Sequence, residues 1–233
     1  MMFRNISAGL VLVLIGIAAI AANGNVVYSN DFQSVVGSQW SNTSTDITPV
    51  GDRRFLGQFS DDDAVSLSLN NLSAHNSVTI AFDLYVIQSW DGTSSDYGPD
   101  TWQLSVDNGP VLLNTTFSNT GDDGHMQSYS GSNSSGGEYD AQTGASEINT
   151  LGYEFYGDSV YNLSFTFNHT GDSLKLNFAG FGLQGVDDES WGLDNVTVST
   201  ASIFIPEPST VAIFAVMSFV LLCQKKSLRL KLA

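Results

Sequence analysis

The chain has 233 residues, of which 42% are hydrophobic, with 24 acidic residues against 8 basic ones and a single cysteine. The formal net charge of −16 excludes a nucleic-acid-binding protein, because binding to phosphates requires a positive surface. One cysteine excludes an internal disulfide framework and a cysteine-rich zinc site. The length allows one domain of ordinary size or two small ones.

Residues 1–22 have the layout of a secretory signal peptide. Arg4 supplies a charged start, residues 10–20 supply an apolar core, and residues 19–22 offer small side chains for cleavage. An uncleaved N-terminal anchor is the alternative, but the apolar run is short and a polar stretch follows at once. We therefore predict that the chain is exported and that its body begins at residue 23.

The acidic residues are concentrated in the body. All of them except Glu207 lie between residues 23 and 204, which contain only three basic residues, Arg53, Arg54 and Lys175. This stretch has a formal charge of −20 (23 acidic, 3 basic). Such a surface repels polyanions and attracts divalent cations, although a solvated acidic exterior without a ligand explains it equally well.

The hydrophobic pattern of the body has a period of two residues, which is typical of strands. The clearest alternation is found in residues 65–69, 78–86, 161–167 and 174–178. Turn residues separate such runs, and His169-Thr170-Gly171-Asp172 is predicted to close a hairpin. About ten strands and no substantial helix predict an all-β, two-sheet antiparallel β-sandwich over residues 23–204, of jelly-roll or concanavalin-like type.

Aromatic and acidic residues mix in the loop after residue 87, namely Trp90, Asp91, Tyr97 and Asp100. Aromatic faces beside carboxylates are the combination that sugar-binding sites use. We assign Trp102 and Trp191 to the core and expect Trp90 and Tyr97 to be exposed. This loop is the predicted glycan-binding site.

Residues 118–146 are rich in glycine, serine, asparagine and aspartate, with few large apolar residues. A loop of this length is usually functional or disordered. We favour disorder.

Clustered loop carboxylates predict calcium binding, because calcium takes six to eight oxygen ligands. The clusters are Asp61-Asp62-Asp63, Asp122-Asp123 and Asp187-Asp188-Glu189. No EF-hand spacing is present, so solvated turns remain the alternative for each. The alternation of residues 191–198 also slips by one residue at Asp194-Asn195, which predicts a β-bulge that re-aims a polar side chain.

The segment Ser-Trp-Gly-Leu-Asp-Asn-Val-Thr-Val (190–198) resembles the last strand of jelly-roll and laminin-G or MAM-like sandwiches. The resemblance to jelly-roll carbohydrate-binding modules implies a structural calcium near the first and last strands, with Asp31 and Asp194 as matching ligands. With the acidic cluster at 187–189, the candidate metal ligands are therefore Asp31, Asp187, Asp188, Glu189 and Asp194.

The C-terminus has three parts in a fixed order: Pro206-Glu207-Pro208, an apolar run at 211–223, and a basic cluster ending at Lys231. This order resembles the PEP-CTERM sorting tail of exported proteins in Gram-negative bacteria, although the basic cluster is more drawn out and richer in lysine. The resemblance implies processing by an exosortase-type transpeptidase and transient inner-membrane anchoring through 211–223. The mature protein would then lie at the cell surface or in the extracellular matrix, and a permanent membrane anchor is the alternative.

Catalysis finds little support in the sequence. The three histidines lie beside turn residues, and neither a His-x-x-x-His pair nor a Gly-x-Ser-x-Gly elbow occurs. We therefore predict a non-enzymatic surface or matrix protein that binds a glycan, with calcium as its cofactor and an exopolysaccharide as its partner. The alternatives are a glycan-active hydrolase on the same fold and a purely structural matrix protein.

Overall fold

A computed structural model of the chain describes residues 24–121, 125–129 and 139–202, together with Met217. The predicted signal peptide, the Pro206-Glu207-Pro208 motif and the apolar run at 211–223 lie outside the described residues, apart from Met217. No helix of the described part is long and apolar enough to cross a membrane.

The described residues form eleven strands. They are β1 (Asn25–Asn30), β2 (Thr45–Ile47), β3 (Arg54–Phe59), β4 (Ala64–Asn70), β5 (Ser77–Gln88), β6 (Thr101–Val106), β7 (Val111–Thr116), β8 (Glu147–Ile148), β9 (Asp158–Asn168), β10 (Ser173–Phe181) and β11 (Glu189–Ala201). The four runs that alternate most clearly in the sequence fall within β4, β5, β9 and β10, as predicted.

The strands form two antiparallel sheets. The larger has the order β2-β3-β11-β5-β9-β8, with β1 also paired to β11, and the smaller has the order β4-β10-β6-β7. Their inner faces pack into one core, in which Phe82 of the larger sheet contacts Trp102 and Phe178 of the smaller one. The predicted all-β, two-sheet sandwich is confirmed.

The predicted hairpin at residues 169–172 is wrong. The turn does connect β9 to β10, but β9 belongs to the larger sheet and β10 to the smaller one. The turn therefore carries the chain across the sandwich. Both strands alternate because each has one face in the core, and alternation does not specify which strand is the partner.

The β-bulge predicted near Asp194 is confirmed. In the ladder between β11 and β5, Asp194 pairs with Asp83 and Thr197 pairs with Ala81, so two residues of β11 face one residue of β5. Asn195 has a φ of 51°, a left-handed conformation that asparagine tolerates better than most residues. The bulge keeps Val196 in the core together with Leu193, which lies three positions earlier in the strand.

A second, smaller hydrophobic cluster lies apart from the main core, formed by Phe55, Tyr85, Ile87, Leu151 and Val160. Phe55 lies against Gly192 of β11 so closely that any Cβ at this glycine would overlap the aromatic ring. The cluster attaches the loop between β8 and β9 to the larger sheet, and this loop contributes to the site described next.

Candidate functional site

Several loops meet at the end of the sandwich where β5 ends and β11 begins. Gln88 and Glu189 are paired across the sheet, so the loops beyond them leave from the same edge. The indole of Trp90 donates a hydrogen bond to the carbonyl oxygen of Ser190 at 2.8 Å, which joins the loop after β5 to the start of β11. Residues 89–100 are thereby brought against the segment that contains Glu189.

Three carboxylates, those of Asp91, Asp100 and Glu189, converge at this end. Each has a carboxylate oxygen within 4.8 Å of an oxygen of the other two, and all three residues are buried. No other group of histidine, cysteine or acidic residues among the described residues has this geometry. We call these three residues the carboxylate triad.

Two carboxylates of the triad, those of Asp100 and Glu189, are only partly satisfied by the protein. The Asp91 amide donates to Asp100 Oδ2, and the Gln184 amide donates to Glu189 Oε2 at 2.7 Å. Asp100 Oδ1 and Glu189 Oε1 are buried without a hydrogen-bond partner. Such orphaned oxygens are costly in a folded protein unless a proton or a cation occupies them.

Asp158 shows how this fold satisfies a buried carboxylate by itself. Its side chain is inaccessible to solvent and accepts hydrogen bonds from the backbone amides of four consecutive residues, Thr150, Leu151, Gly152 and Tyr153. The triad has no comparable set of donors. The triad is therefore better suited to binding a cation than to a purely structural role.

Burial of the triad changes its protonation. Desolvation, reinforced by the charge of Asp100, raises the pKa of Glu189 to about 9. Desolvation also raises the pKa of Asp100 to about 7, with a further contribution from the charge of Asp91. The pKa of Asp91 is raised in the same direction and for the same principal reason. Without a cation, the triad therefore retains protons near neutral pH.

A cavity of about 440 Å³ opens beside the triad. Its lining comes from several loops and consists of Ser89, Asp91, Tyr97, Thr120, His125, Tyr156, Gln184 and Asp188. Asp91 belongs both to the triad and to this lining, whereas Asp100 and Glu189 lie behind it and are inaccessible to solvent. A ligand in the cavity would therefore reach the triad only through Asp91.

The two aromatic residues of the predicted sugar site differ in their exposure. Tyr97 is exposed, with 63% of its surface accessible, and it lines the cavity beside His125. Trp90 was predicted to be exposed, and this is wrong. It has no accessible surface, because its ring packs near Phe117 and its indole N–H is bound to Ser190. Trp102 and Trp191 are core residues, as predicted.

Of the five predicted metal ligands, Glu189 alone belongs to the triad. Asp194 is buried, but its oxygens already accept hydrogen bonds from the Tyr85 hydroxyl at 2.8 Å and from the Asn195 amide at 2.7 Å. Desolvation raises the pKa of Asp194 to about 6. Asp31, Asp187 and Asp188 are exposed, and Asp188 lines the cavity.

The expectation of disorder for residues 118–146 is wrong for the part of this segment that the structure describes. The side-chain amide of Asn119 donates to the carbonyl oxygens of Val86 and Gln88, at 3.0 and 2.9 Å. Thr120 donates to Asp91 Oδ1 at 3.2 Å. Polar side chains thus fix Asn119 and Thr120 in the site, and composition alone does not distinguish such ordered residues from disordered ones. Asp122 and Asp123 lie outside the described residues.

Sequence reasoning missed five of the lining residues, which are Ser89, Thr120, His125, Tyr156 and Gln184. Tyr156 follows an exposed phenylalanine in a loop. Two adjacent aromatic residues outside any alternating run indicate exposed apolar surface, and this pattern could have identified Tyr156 as a candidate. The other four are isolated polar residues in loops, and nothing in the pattern sets them apart.

Comparison with known proteins gives no family assignment. No protein-family model and no curated protein matches the sequence. Similar solved structures include TmCBM27, a carbohydrate-binding module described in specific mannan recognition, at 16% identity and a TM-score of 0.40, with 78% of this chain and 100% of that chain covered. The CBM22-1 xylan-binding domain of Xyn10C from Paenibacillus barcinonensis shares 14% identity at a TM-score of 0.39, with 78% and 99% covered.

A third similar structure belongs to a much larger protein. BtGH115A, a GH115 4-O-methyl-α-glucuronidase with specificity for decorated arabinogalactans, shares 11% identity at a TM-score of 0.38. The alignment covers 80% of this chain but only 19% of that protein. Similarities at this level of identity and TM-score carry no argument about function.

Proposed function

We propose that this chain is an exported, non-catalytic glycan-binding protein whose binding site is the cavity at the loop end of the sandwich. The observation that carries the proposal is the pairing of two exposed tyrosines, Tyr97 and Tyr156, with hydrogen-bonding side chains in one cavity. The faces of aromatic rings can pack on the C–H surface of a sugar. Hydroxyl, amide and carboxylate groups from Ser89, Gln184 and Asp188 can bond its hydroxyls.

Calcium is the cation that we propose for the triad. Three carboxylates provide hard oxygen ligands, and the remaining coordination positions can be filled by carbonyl oxygens or water. The orphaned oxygens of Asp100 and Glu189 support this assignment, because a cation would satisfy both. The proposed ion would tie the loop after β5 to β11 and so hold the cavity in shape.

A glycan-active hydrolase is the competing function, since paired carboxylates with raised pKa values also serve as catalytic acids. In this site, however, the two most perturbed groups, Asp100 and Glu189, are inaccessible to solvent and do not line the cavity. A substrate in the cavity would not contact them. The geometry therefore favours cation binding over acid–base catalysis.

Retention on glycan affinity gels tests the proposed function. In calcium, the exported protein should be retarded by uncharged polysaccharides, because a body with a charge of −20 repels acidic ones. Tyr97→Ala and Tyr156→Ala should each weaken retention. Phe155→Ala is the matched control, since Phe155 is 71% exposed and adjacent to Tyr156 but does not line the cavity. Release of sugar products would favour the hydrolase instead.

Export and sorting form the second part of the proposal, supported by the two terminal segments of the sequence. The signal peptide would direct export, and the Pro206-Glu207-Pro208 tail would be processed by an exosortase-type enzyme. Intact-mass analysis of the exported protein should show a start near residue 23 and loss of the apolar run. A mature form that still ends at Ala233 in an exosortase-bearing host would contradict the sorting proposal.

A further inference from the structure

Carboxylates predominate among the charged groups of the cavity lining. Two lining residues, Asp91 and Asp188, are carboxylates, and the lining includes neither lysine nor arginine among the described residues. The lining also contains His125, whose Nε2 lies 3.7 Å from Asp91 Oδ1 and pairs with that carboxylate when the ring is protonated. An anionic ligand would therefore meet repulsion here, and a cationic one would meet attraction.

The few cations of the body are engaged or placed elsewhere. Arg53 forms a bidentate ion pair with Glu147, at 3.1 and 2.8 Å. Arg54 donates to Thr45, and Lys175 lies in the middle of β10 in the smaller sheet. None of these three side chains lines the cavity, so none offsets its negative potential locally.

Asp188 is positioned to act as the partner of a ligand cation. Its side chain is exposed to the cavity, and one of its oxygens, Oδ1, accepts a hydrogen bond from the Ser89 hydroxyl at 2.6 Å. That bond fixes the orientation of the carboxylate. Unlike Asp100 and Glu189, it lies outside the triad and therefore stays available when the triad holds a cation.

The aromatic lining adds a second attraction for a cation. Tyr97 and Tyr156 line the same cavity and have 63% and 57% of their surfaces accessible to solvent. The face of a tyrosine ring attracts an ammonium group within about 6 Å of its centre. Carboxylates and tyrosine faces both attract an ammonium group. An uncharged sugar needs only the rings and the hydrogen bonds.

We propose that the ligand of this cavity is a cationic amino sugar, that is, a hexosamine unit with a free ammonium group that pairs with Asp188 against the faces of Tyr97 and Tyr156. This inference rests on the proposed glycan-binding function and specifies its ligand class. The cavity volume of about 440 Å³ exceeds the size of an ammonium group alone. Its hydroxyl and amide groups, from Ser89, Thr120 and Gln184, suit the hydroxyls of a sugar ring.

Titration calorimetry with two matched ligand series tests the inference. Oligosaccharides of glucosamine and of N-acetylglucosamine, with the same linkage and length, differ in the charge of the nitrogen and its acetyl group. With calcium present and at a pH where the free amine is protonated, the exported protein should bind the glucosamine series about 10- to 100-fold more tightly, the range that a charge-assisted hydrogen bond supplies. Added salt should reduce this preference.

Variants of two adjacent aspartates provide the control. Asp188→Asn should abolish the difference between the two series, because it removes the carboxylate that pairs with the ammonium group. Asp187→Asn should preserve the difference, since Asp187 is also an exposed aspartate but does not line the cavity. Loss of the preference in both variants would indicate a general effect of charge and would overturn the assignment to Asp188.

The outcomes separate the inference from the function on which it rests. Equal affinity for both series, with retention that still depends on Tyr97, would overturn the amino-sugar inference and leave the glycan-binding proposal standing. No binding of any glycan would overturn both. Binding of lysine oligomers as tight as that of glucosamine oligomers would overturn the assignment to a sugar and indicate a site for basic peptides.

Discussion

The indole Nε1 of Trp90 donates to the carbonyl oxygen of Ser190, the residue that follows Glu189. Trp90 in turn precedes Asp91, so this single bond between the loop after β5 and β11 lies next to two members of the triad. A residue that appeared from the sequence to be a ligand contact is instead a structural support for the site.

Trp90→Ala should destabilise the domain by about 3–5 kcal/mol, because it removes a fully buried ring and leaves a cavity. Tyr97→Ala should change the free energy of unfolding by less than about 0.5 kcal/mol, since its ring is exposed. Urea denaturation of both variants measures the difference. Comparable stability of the two variants would contradict the placement of Trp90.

Glu189→Gln should have opposite effects with and without calcium. In chelator at pH 8 the variant should melt at or above the temperature of the wild type, because it replaces a buried, unpaired acid with a neutral group. In saturating calcium the wild type should gain about 2.7 kcal/mol at a hundredfold excess over Kd, a shift of roughly 5–11 °C that the variant lacks.

Asp187→Asn serves as the control for this experiment, since Asp187 is exposed and outside the triad. Scanning calorimetry of the three proteins gives the comparison. A calcium shift of equal size in Glu189→Gln would place the ion elsewhere, with the carboxylates of Asp31 and Asp194 as the next candidates.

Without a cation, stability should fall as the pH rises. Glu189 and Asp100 have pKa values near 9 and 7 in the folded state, against ordinary values of 4.5 and 3.8, so the folded state binds more protons than the unfolded state between these limits. Their contribution is complete below about pH 4 and is lost as the pH rises through 7 and then 9.

The urea midpoint measured in chelator at pH 5, 7 and 9 tests this sign. The lowered pKa of His169, caused by its desolvation, acts in the opposite direction near its ordinary value of 6.5. An Asp100→Asn/Glu189→Gln double variant isolates the triad and should flatten the decline. A wild-type midpoint that rises steadily towards pH 9 would contradict the raised pKa values.

Gly192→Ala should destabilise the domain by about 1–3 kcal/mol, because the added methyl group would overlap the ring of Phe55 and no space is available for it. The two positions should therefore be coupled. In a double-mutant cycle, Phe55→Leu should reduce the cost of Gly192→Ala. If the effects of the two substitutions on the free energy of unfolding were additive, contact with the Phe55 ring would not be the cause of the destabilisation by Gly192→Ala.

The sequence predicts the elements of this fold better than their arrangement. Alternation identified the strands and the slip at Asp194, since the side-chain period of a strand is a local property. The turn at residues 169–172 looked like a hairpin and is a crossover between sheets. Strand pairing depends on contacts between residues far apart in the chain, and a local pattern does not contain them.

The site was predictable only in part for the same reason. The sequence predicted a sugar site in the loop at 89–100 and metal ligands in the acidic segment at 187–189. The structure joins them through Asp91, Asp100 and Glu189, which are separated by up to 98 positions in the chain. Burial of Trp90 was missed because a tryptophan outside an alternating run gives no indication of which loop will cover it.

Chemical-shift mapping of the isotope-labelled protein with a glycan ligand, in calcium, tests the central claim most directly. If glycans bind in the cavity at the loop end of the sandwich, the perturbed amides will cluster in residues 89–100, 118–121, 125–127, 149–157 and 182–188. Perturbations confined to the outer face of either sheet, or centred on the opposite end near His75 and His169, would contradict it.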